Sequence, residues 1–279
     1  MSVDAITRTH TVTTPDKLVN GLRAGWSATW PKLLAVAIAL AAWELVYLSG
    51  VKPDFLLPSP ATTLSTLRDT VSERDFWREL YTTLHRGVFG FGLSVIIGSL
   101  LGIAVSQWRV LRLGVGSMIT GLQTMPSIAW FPLAILMFGL TESAIMFVII
   151  LGAAPSIANG IISGIDEVPP SYLRAGHMLG ARGIDRYRHI VLPAALPSYV
   201  SGLKQGWAFA WRSLMAGELL VLIPGHPSLG GDLSLARSYG QADRLLALMI
   251  VILVVGMVID AIFSYAAKTV RVRRGLTGF

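Results

Sequence analysis

The chain has 279 residues, 53% of them hydrophobic and only 14% charged, with a mean hydropathy of +0.62. Soluble domains carry about a quarter charged residues, and one soluble core of this length does not hide so much apolar surface, so the composition points to lipid. The formal charge of +7 is distributed by segment, which argues against nucleic-acid binding, and the absence of cysteine excludes disulfides and thiolate metal sites. The five histidines show no ligand spacing, and no metal is expected.

In chain order, a polar segment over 1–32 precedes the first apolar run, which begins near Leu33. No small-residue cleavage site follows that run, because Trp43, Glu44 and Tyr47 stand where one is needed, so no cleaved signal peptide is expected. A crossing needs about 20 apolar residues. Six stretches qualify, at 33–50, 87–107, 114–139, 143–164, 194–223 and 245–267, followed by a basic tail over 268–279. Helices are expected because lipid leaves no external partner for backbone N–H and C=O groups, and the alternation of a barrel is missing. The expected fold is all-α, a polytopic membrane helical bundle of about six transmembrane helices.

Between the first two spans, Leu64, Leu67, Val71, Phe76 and Leu80 mark an amphipathic helix lying on the outer membrane face or against the bundle. Fourteen Lys and Arg residues fall in 1–32, 108–113, 165–193 and 268–279, against seven in 51–86 and 224–244. Basic loops stay inside, so both termini and the 165–193 loop are assigned to the cytoplasm. No internal repeat is visible, which disfavours the secondary transporters built on repeats.

Charges inside a span cost roughly 2.5–3.5 kcal/mol at its centre, so Glu44, Lys204, Arg212, Glu218 and Asp260 each need a reason. Lys204, Trp207, Trp211, Met215 and Glu218 recur at helical spacing on one face, with Arg212 beside it. A cationic, aromatic face suits an oxyanion path, since guanidinium offers forked donors. The alternative is that Arg212 and Glu218 are satisfied by Asp260, Glu44 or backbone carbonyls, and that Lys204 only snorkels. Gln123, Met125 and Trp130 flank Pro126, and Pro126 with Pro132 predicts a kink, serving either as a gate or as plain packing. Gly98-x-x-x-Gly102 and Gly160-x-x-x-Gly164 predict close helix approach.

In the 165–193 loop, Pro169-Pro170 suits a helix start and Gly180 its end, giving a short helix over about 170–180 with small residues Ala175 and Gly176. Asp185 to His189 continues as a basic amphipathic stretch toward Ile190-Val191-Leu192-Pro193. This segment resembles the signature of permease subunits of bacterial binding-protein-dependent ABC importers of type I fold, in which EAA, three residues and G precede I-x-LP. Arg174-Ala175-Gly176 stands at the EAA positions and Gly180 at the glycine, with Arg174 in place of Glu and Gly176 in place of the second Ala. Leu57-Pro58-Ser59-Pro60, Gln123 to Ala134, Phe138-Gly139, Gly202-Leu203 and Leu229-Gly230-Gly231 resemble the nitrate, sulfonate and bicarbonate branch, and Gly202 to Arg212 looks most like its sulfonate members.

The resemblance implies a permease of the bacterial cytoplasmic (inner) membrane that pairs with a second copy of itself. Two cytoplasmic ABC ATPase subunits, which carry the ATP and Mg, would grip a coupling helix formed by Tyr172, Leu173, Arg174, Ala175, Gly176, Leu179 and Gly180. An extracytoplasmic substrate-binding protein would deliver substrate. The path would involve Gln123, Met125, Trp130, Lys204, Trp207, Trp211, Arg212 and Glu218. The implied cargo is a small oxyanion, first an aliphatic sulfonate or taurine, with nitrate, bicarbonate and pyrimidine precursors as branch alternatives. The chain itself has no G-x-x-x-x-G-K-[ST] phosphate loop and is expected not to be an enzyme or to hold a cofactor. A transporter or channel acting without an ATPase is the alternative in transport. An intramembrane enzyme is the alternative from another class, and neither H-E-x-x-H nor G-x-S-x-G supports it.

Overall fold

The computed structural model describes the backbone of residues 14–273 and the side chains of 30–272. Residues 1–13 of the expected N-terminal segment and 274–279 of the expected tail lie outside the described residues. The chain divides into two units, 1–62 and 63–279. In the first, α1 (Thr14–Leu48) runs unbroken through Pro31, so residues 14–32 and the apolar run after them share one helix. The Trp43 indole donates to the Pro58 carbonyl at 3.2 Å, and Trp30–Leu48 is long and apolar enough to cross a membrane.

α2 (Pro60–Ser72) leads into the second unit, where α3 (Arg74–Gln107) follows after one residue. The single helix expected over 64–80, on the outer membrane face or against the bundle, is therefore two pieces, and the second is the N-terminal end of the long apolar α3. Its apolar positions are not spread on a surface: Leu67, Val71, Phe76 and Leu80 pack with Leu229, Leu248 and Val251. α4 (Arg109–Thr124) ends at Met125, a 3-10 turn occupies Ser127–Trp130, and α5 (Phe131–Phe138) leaves at 107° to α4. The expected kink is thus a break at Pro126, while Pro132 sits in the first turn of α5, where its missing N–H costs nothing.

α6 (Glu142–Asp166) is the most buried span, and it lies between α3 and α9 (Leu192–Leu220). Along α3 the buried positions Thr83, Gly87, Gly90, Ser94, Gly98, Gly102 and Val105 recur every three or four residues. Their small size lets the backbones meet: a Cβ on Gly98 would lie 2.6 Å from the Ala154 carbonyl oxygen, and one on Gly102 2.8 Å from that of Ala158. On the opposite side of α6, a Cβ on Gly160 would lie 2.7 Å from Cα of Gly202, and one on Gly164 2.7 Å from the Ala195 carbonyl oxygen. In lipid, apolar burial gives helices little reason to associate, so close van der Waals approach carries the packing.

After α6 come α7 (Pro170–Met178), the three-residue α8 (Ile184–Arg186) and a π turn, Tyr187–Val191, that runs into α9. α10 (Leu229–Ser238) and α11 (Ala242–Arg273) complete the bundle, and the last span extends past its expected end at 267. Among the described residues every regular element is helical. Four helices among the described residues are long and apolar enough to cross a membrane, and the bent pair α4–α5 makes a fifth if counted as one span. α9, which covers the fifth expected span, has the length, but Lys204, Arg212 and Glu218 lower its hydropathy. If the α6–α9 contact depends on small residues, Gly202→Val should cost about 1–3 kcal/mol by overpacking, read as a lower unfolding midpoint in detergent. Gly92→Ala, where a Cβ meets open space, should leave the midpoint near wild type.

Candidate functional site

Glu218 of α9 is wholly buried, and its partner is Arg86 of α3, whose side chain is 4% exposed. Arg86 Nη1 donates to Glu218 Oε1 at 3.0 Å, while Nε and Nη2 donate to the two oxygens of Glu142 at 2.8 and 2.5 Å. Thr83 holds its hydroxyl 2.9 and 3.1 Å from the Glu218 oxygens and accepts from the Leu229 amide at 3.0 Å. The Gly230 amide donates to Glu218 Oε2 at 3.1 Å. At the start of α10 the Leu229 amide is thereby capped by a hydroxyl and the Gly230 amide by a carboxylate, where the helix dipole favours negative charge. The approach requires Gly230, since a Cβ there would collide with Cβ of Glu218. One guanidinium thus ties α3, α6 and α9 together, and each of its three nitrogens donates to a carboxylate.

The face read along α9 divides between different partners. Lys204 Nζ stands 3.4 Å from Asp260 Oδ2 of α11, which also accepts from the Ser264 hydroxyl. Arg212 Nε donates to the Ala208 carbonyl at 3.1 Å, and its guanidinium lies 4.9 Å from the centre of the Phe209 ring. Trp207 is buried, edge-on to Phe91 and stacked on Phe263, with Trp211 beside it. Trp207, Trp211 and Arg212 do come together, lining a cavity of about 810 Å³ with Asp260 and Ser264. Glu218 leaves this set for Arg86, and Met215 is buried in the main apolar core. Gln123, Met125 and Trp130 sit at the α4–α5 break. Gln123 donates weakly to Ser156 Oγ at 3.4 Å, Met125 is exposed, and Trp130 packs on the core.

At the other end of α9, α7 closes with two bonds that satisfy its last carbonyls: Gly180 N to His177 O at 3.0 Å and Ala181 N to Gly176 O at 2.9 Å. Gly180 takes φ +85°, the left-handed conformation this termination needs. Gly176 is the buried residue of α7. Tyr172, Arg174, Ala175, Met178 and Leu179 are exposed, Leu179 at 87%, and Leu173 is half-buried. The base is braced by Arg112 to Asp166, Ser198 Oγ to Glu167 Oε2 at 2.8 Å, and Tyr187 hydroxyl to Gln107 Oε1 at 3.1 Å.

Residues 94–272 match the family described as the inner membrane component of binding-protein-dependent transport systems. The chain belongs to this family. A Methanocaldococcus jannaschii protein named as an ABC transporter permease is 30% identical over 84% of this chain and 88% of its own length. A Bacillus subtilis protein named as an aliphatic sulfonates transport permease, SsuC, is 28% identical over 86% of this chain and 84% of its own. The taurine transport system permease TauC of Escherichia coli is 26% identical over 81% of this chain and 82% of its own. In fold, the chain is similar to a chain of a bacterial alginate ABC transporter crystallised with an alginate pentasaccharide-bound periplasmic protein. That match has a TM-score of 0.58 and 13% identity over 91% of this chain and 99% of the other. The chain is accordingly the permease component of an ABC importer, a multi-pass protein of the inner membrane, in a family whose ATPase is a separate subunit.

Sequence reasoning missed Arg86, Glu142 and Thr83. Arg86 falls in the 51–86 segment assigned to the outer side, and Glu142 lies one residue before an expected span. The available signal was the pairing requirement: Glu218 needed a cation, and Arg86 at the mouth of an apolar run was a candidate. Arg86→Met leaves two carboxylates facing each other and should cost about 3–5 kcal/mol. Glu142→Gln should cost much less, because the Glu142 side chain is 42% exposed. Chemical unfolding of the purified variants in detergent measures both.

Proposed function

We propose that two copies of this chain enclose the path of an ATP-driven importer for a small oxyanion, with an aliphatic sulfonate or taurine as the first choice of cargo. The observation that carries the reading is α7: a short helix with exposed Tyr172, Met178 and Leu179, ended by a left-handed glycine, at the end of the bundle where the basic loops gather. Exposed apolar side chains on a polar loop suit a protein partner, and a cytoplasmic ATPase carrying ATP and Mg fits that place. In this reading both termini are cytoplasmic, the six spans are those given above with α9 among them, and an extracytoplasmic binding protein meets the α10 end. Tyr172, Leu173, Arg174, Ala175, Gly176, Leu179 and Gly180 form the coupling element.

The cargo assignment rests on two supports. The relatives named for sulfonates and taurine match over most of their length, although a nitrate import permease of Synechocystis, 23% identical, matches over a similar span. The Arg212 guanidinium has its two Nη groups without a protein partner among the described residues, beside Trp207 and Trp211. A forked donor next to an apolar wall suits a tetrahedral oxyanion on a short hydrocarbon.

The test is uptake into vesicles containing the permease, its ATPase and its binding protein. An aliphatic sulfonate should accumulate only with ATP, and excess nitrate should compete poorly. Uptake without nucleotide would overturn the ATP-driven reading, and equal competition would overturn the sulfonate assignment. Gly180→Asp, forced into a left-handed conformation that costs a side chain energy, should leave ATP hydrolysis running while uptake falls, as should Ala175→Trp. Arg212→Glu should abolish uptake, and wild-type uptake there removes Arg212 from the path.

A further inference from the structure

α7 communicates with the rest of the chain by three routes of unequal stiffness. Toward α9 the backbone passes through Gly180 and Gly183, with φ +85° and +52°, and then through the three-residue α8. A connection hinged at two glycines passes on little of a push, since glycine has the widest torsional freedom. Toward α6 the chain runs through Glu167 to Pro169, where the Glu167 and Val168 amides donate to the Ser163 and Ile165 carbonyls, the Ser198 hydroxyl donates to Glu167, and Val168 is buried. This route anchors α7 to the end of α6, and its backbone does not lead to α9. The third route is direct contact. The bare face of Gly176 receives Ile190: a methyl at 176 would collide with Cδ1 of Ile190 and lie 3.3 Å from its Cγ1.

Around this contact the space is open. A cavity of about 1220 Å³ separates α7 from the base of α9, lined by Tyr172, Ala175, Leu179, His189, Pro193 and Ser198. Ile190 belongs to the π turn Tyr187–Val191, which is continuous with α9. A π turn carries one residue more than the α-helix it interrupts and is kept mostly at functional positions. Here the turn holds Ile190 against α7. At position 176 the signature that this loop resembles has alanine. In this chain the missing methyl is supplied from the other side of the contact, by Cδ1 of Ile190.

We propose that Ile190 seated on Gly176 is the joint through which displacement of α7 reaches α9. Both are positioning residues, and neither touches cargo or nucleotide. The inference rests on the permease reading and adds the residue pair that transmits the motion. It also predicts an exchange. Valine at 190 lacks Cδ1 and alanine at 176 supplies a methyl, so the two changes together refill the same space.

The experiment has one arm that needs no partner subunit. The chain has no cysteine of its own, so spin labels go on Met178→Cys, on the exposed side of α7, and Leu220→Cys, at the far end of α9. In nanodiscs, Gly176→Ala should shift or broaden the distance distribution, and Gly176→Ala with Ile190→Val should restore it. In the reconstituted transporter, Gly176→Ala and Ile190→Ala should each lose most of the uptake obtained per ATP hydrolysed, while the double variant recovers it. An unchanged distance and coupling ratio in the single variants would overturn the joint, as would a double variant no better than Gly176→Ala. A wild-type complex without ATP-driven uptake counts against the permease reading alone, because the distance pattern still decides the joint.

Discussion

A guanidinium inside a membrane bundle is tolerable only when its whole fork is engaged, and Arg86 meets that condition by drawing one carboxylate from α6 and one from α9. The desolvation of such a group runs to several kcal/mol, so the helices that supply its partners have little freedom to slide. Glu218 is held in turn by Thr83 and by the Gly230 amide, which brings the start of α10 into the same network. The register of α3, α6, α9 and α10 at this end therefore follows from one side chain.

Toward the opposite end the constraint is steric. The glycines of α3, α6 and α9 let backbones touch where side chains would hold them apart, and α6 is packed on both sides. A bundle fixed by charge at one end and by backbone contact along its middle moves as a body. The parts that can move independently are those outside this frame, and α7, hung between glycine hinges and an open cavity, is the most obvious of them.

Much of this was legible in the sequence because the relevant physics is local. Apolar length marked the long helices, Pro169-Pro170 and Gly180 bounded α7, and the G-x-x-x-G pairs marked close contacts that the structure contains. What stayed hidden depends on distant partners. Lys204, Trp207, Trp211, Met215 and Glu218 share a helical face, yet three-dimensional packing sends Lys204 to Asp260, Glu218 to Arg86 and Met215 into the core. Periodicity says which side chains point the same way along one helix, not which helix stands opposite at each level. The amphipathic stretch after residue 60 leaves two readings open for a similar reason: its apolar positions fit a membrane surface and a neighbouring helix equally well, and the contact of Phe76 with Leu229 and Leu248 decides for the bundle.

The break between Thr124 and Ser127 has a consequence for how the molecule meets its surroundings. A 107° turn between two apolar helices interrupts the helical bonding that hides the peptide groups of a span. Hydrocarbon does not solvate such groups, so the surface carrying Met125, Pro126 and Ile128 must be wetted or covered by protein. Acyl chains are thereby excluded from one side of the bundle. Three uncharged residues thus mark a side of this unit that a lipid tail cannot cover without cost.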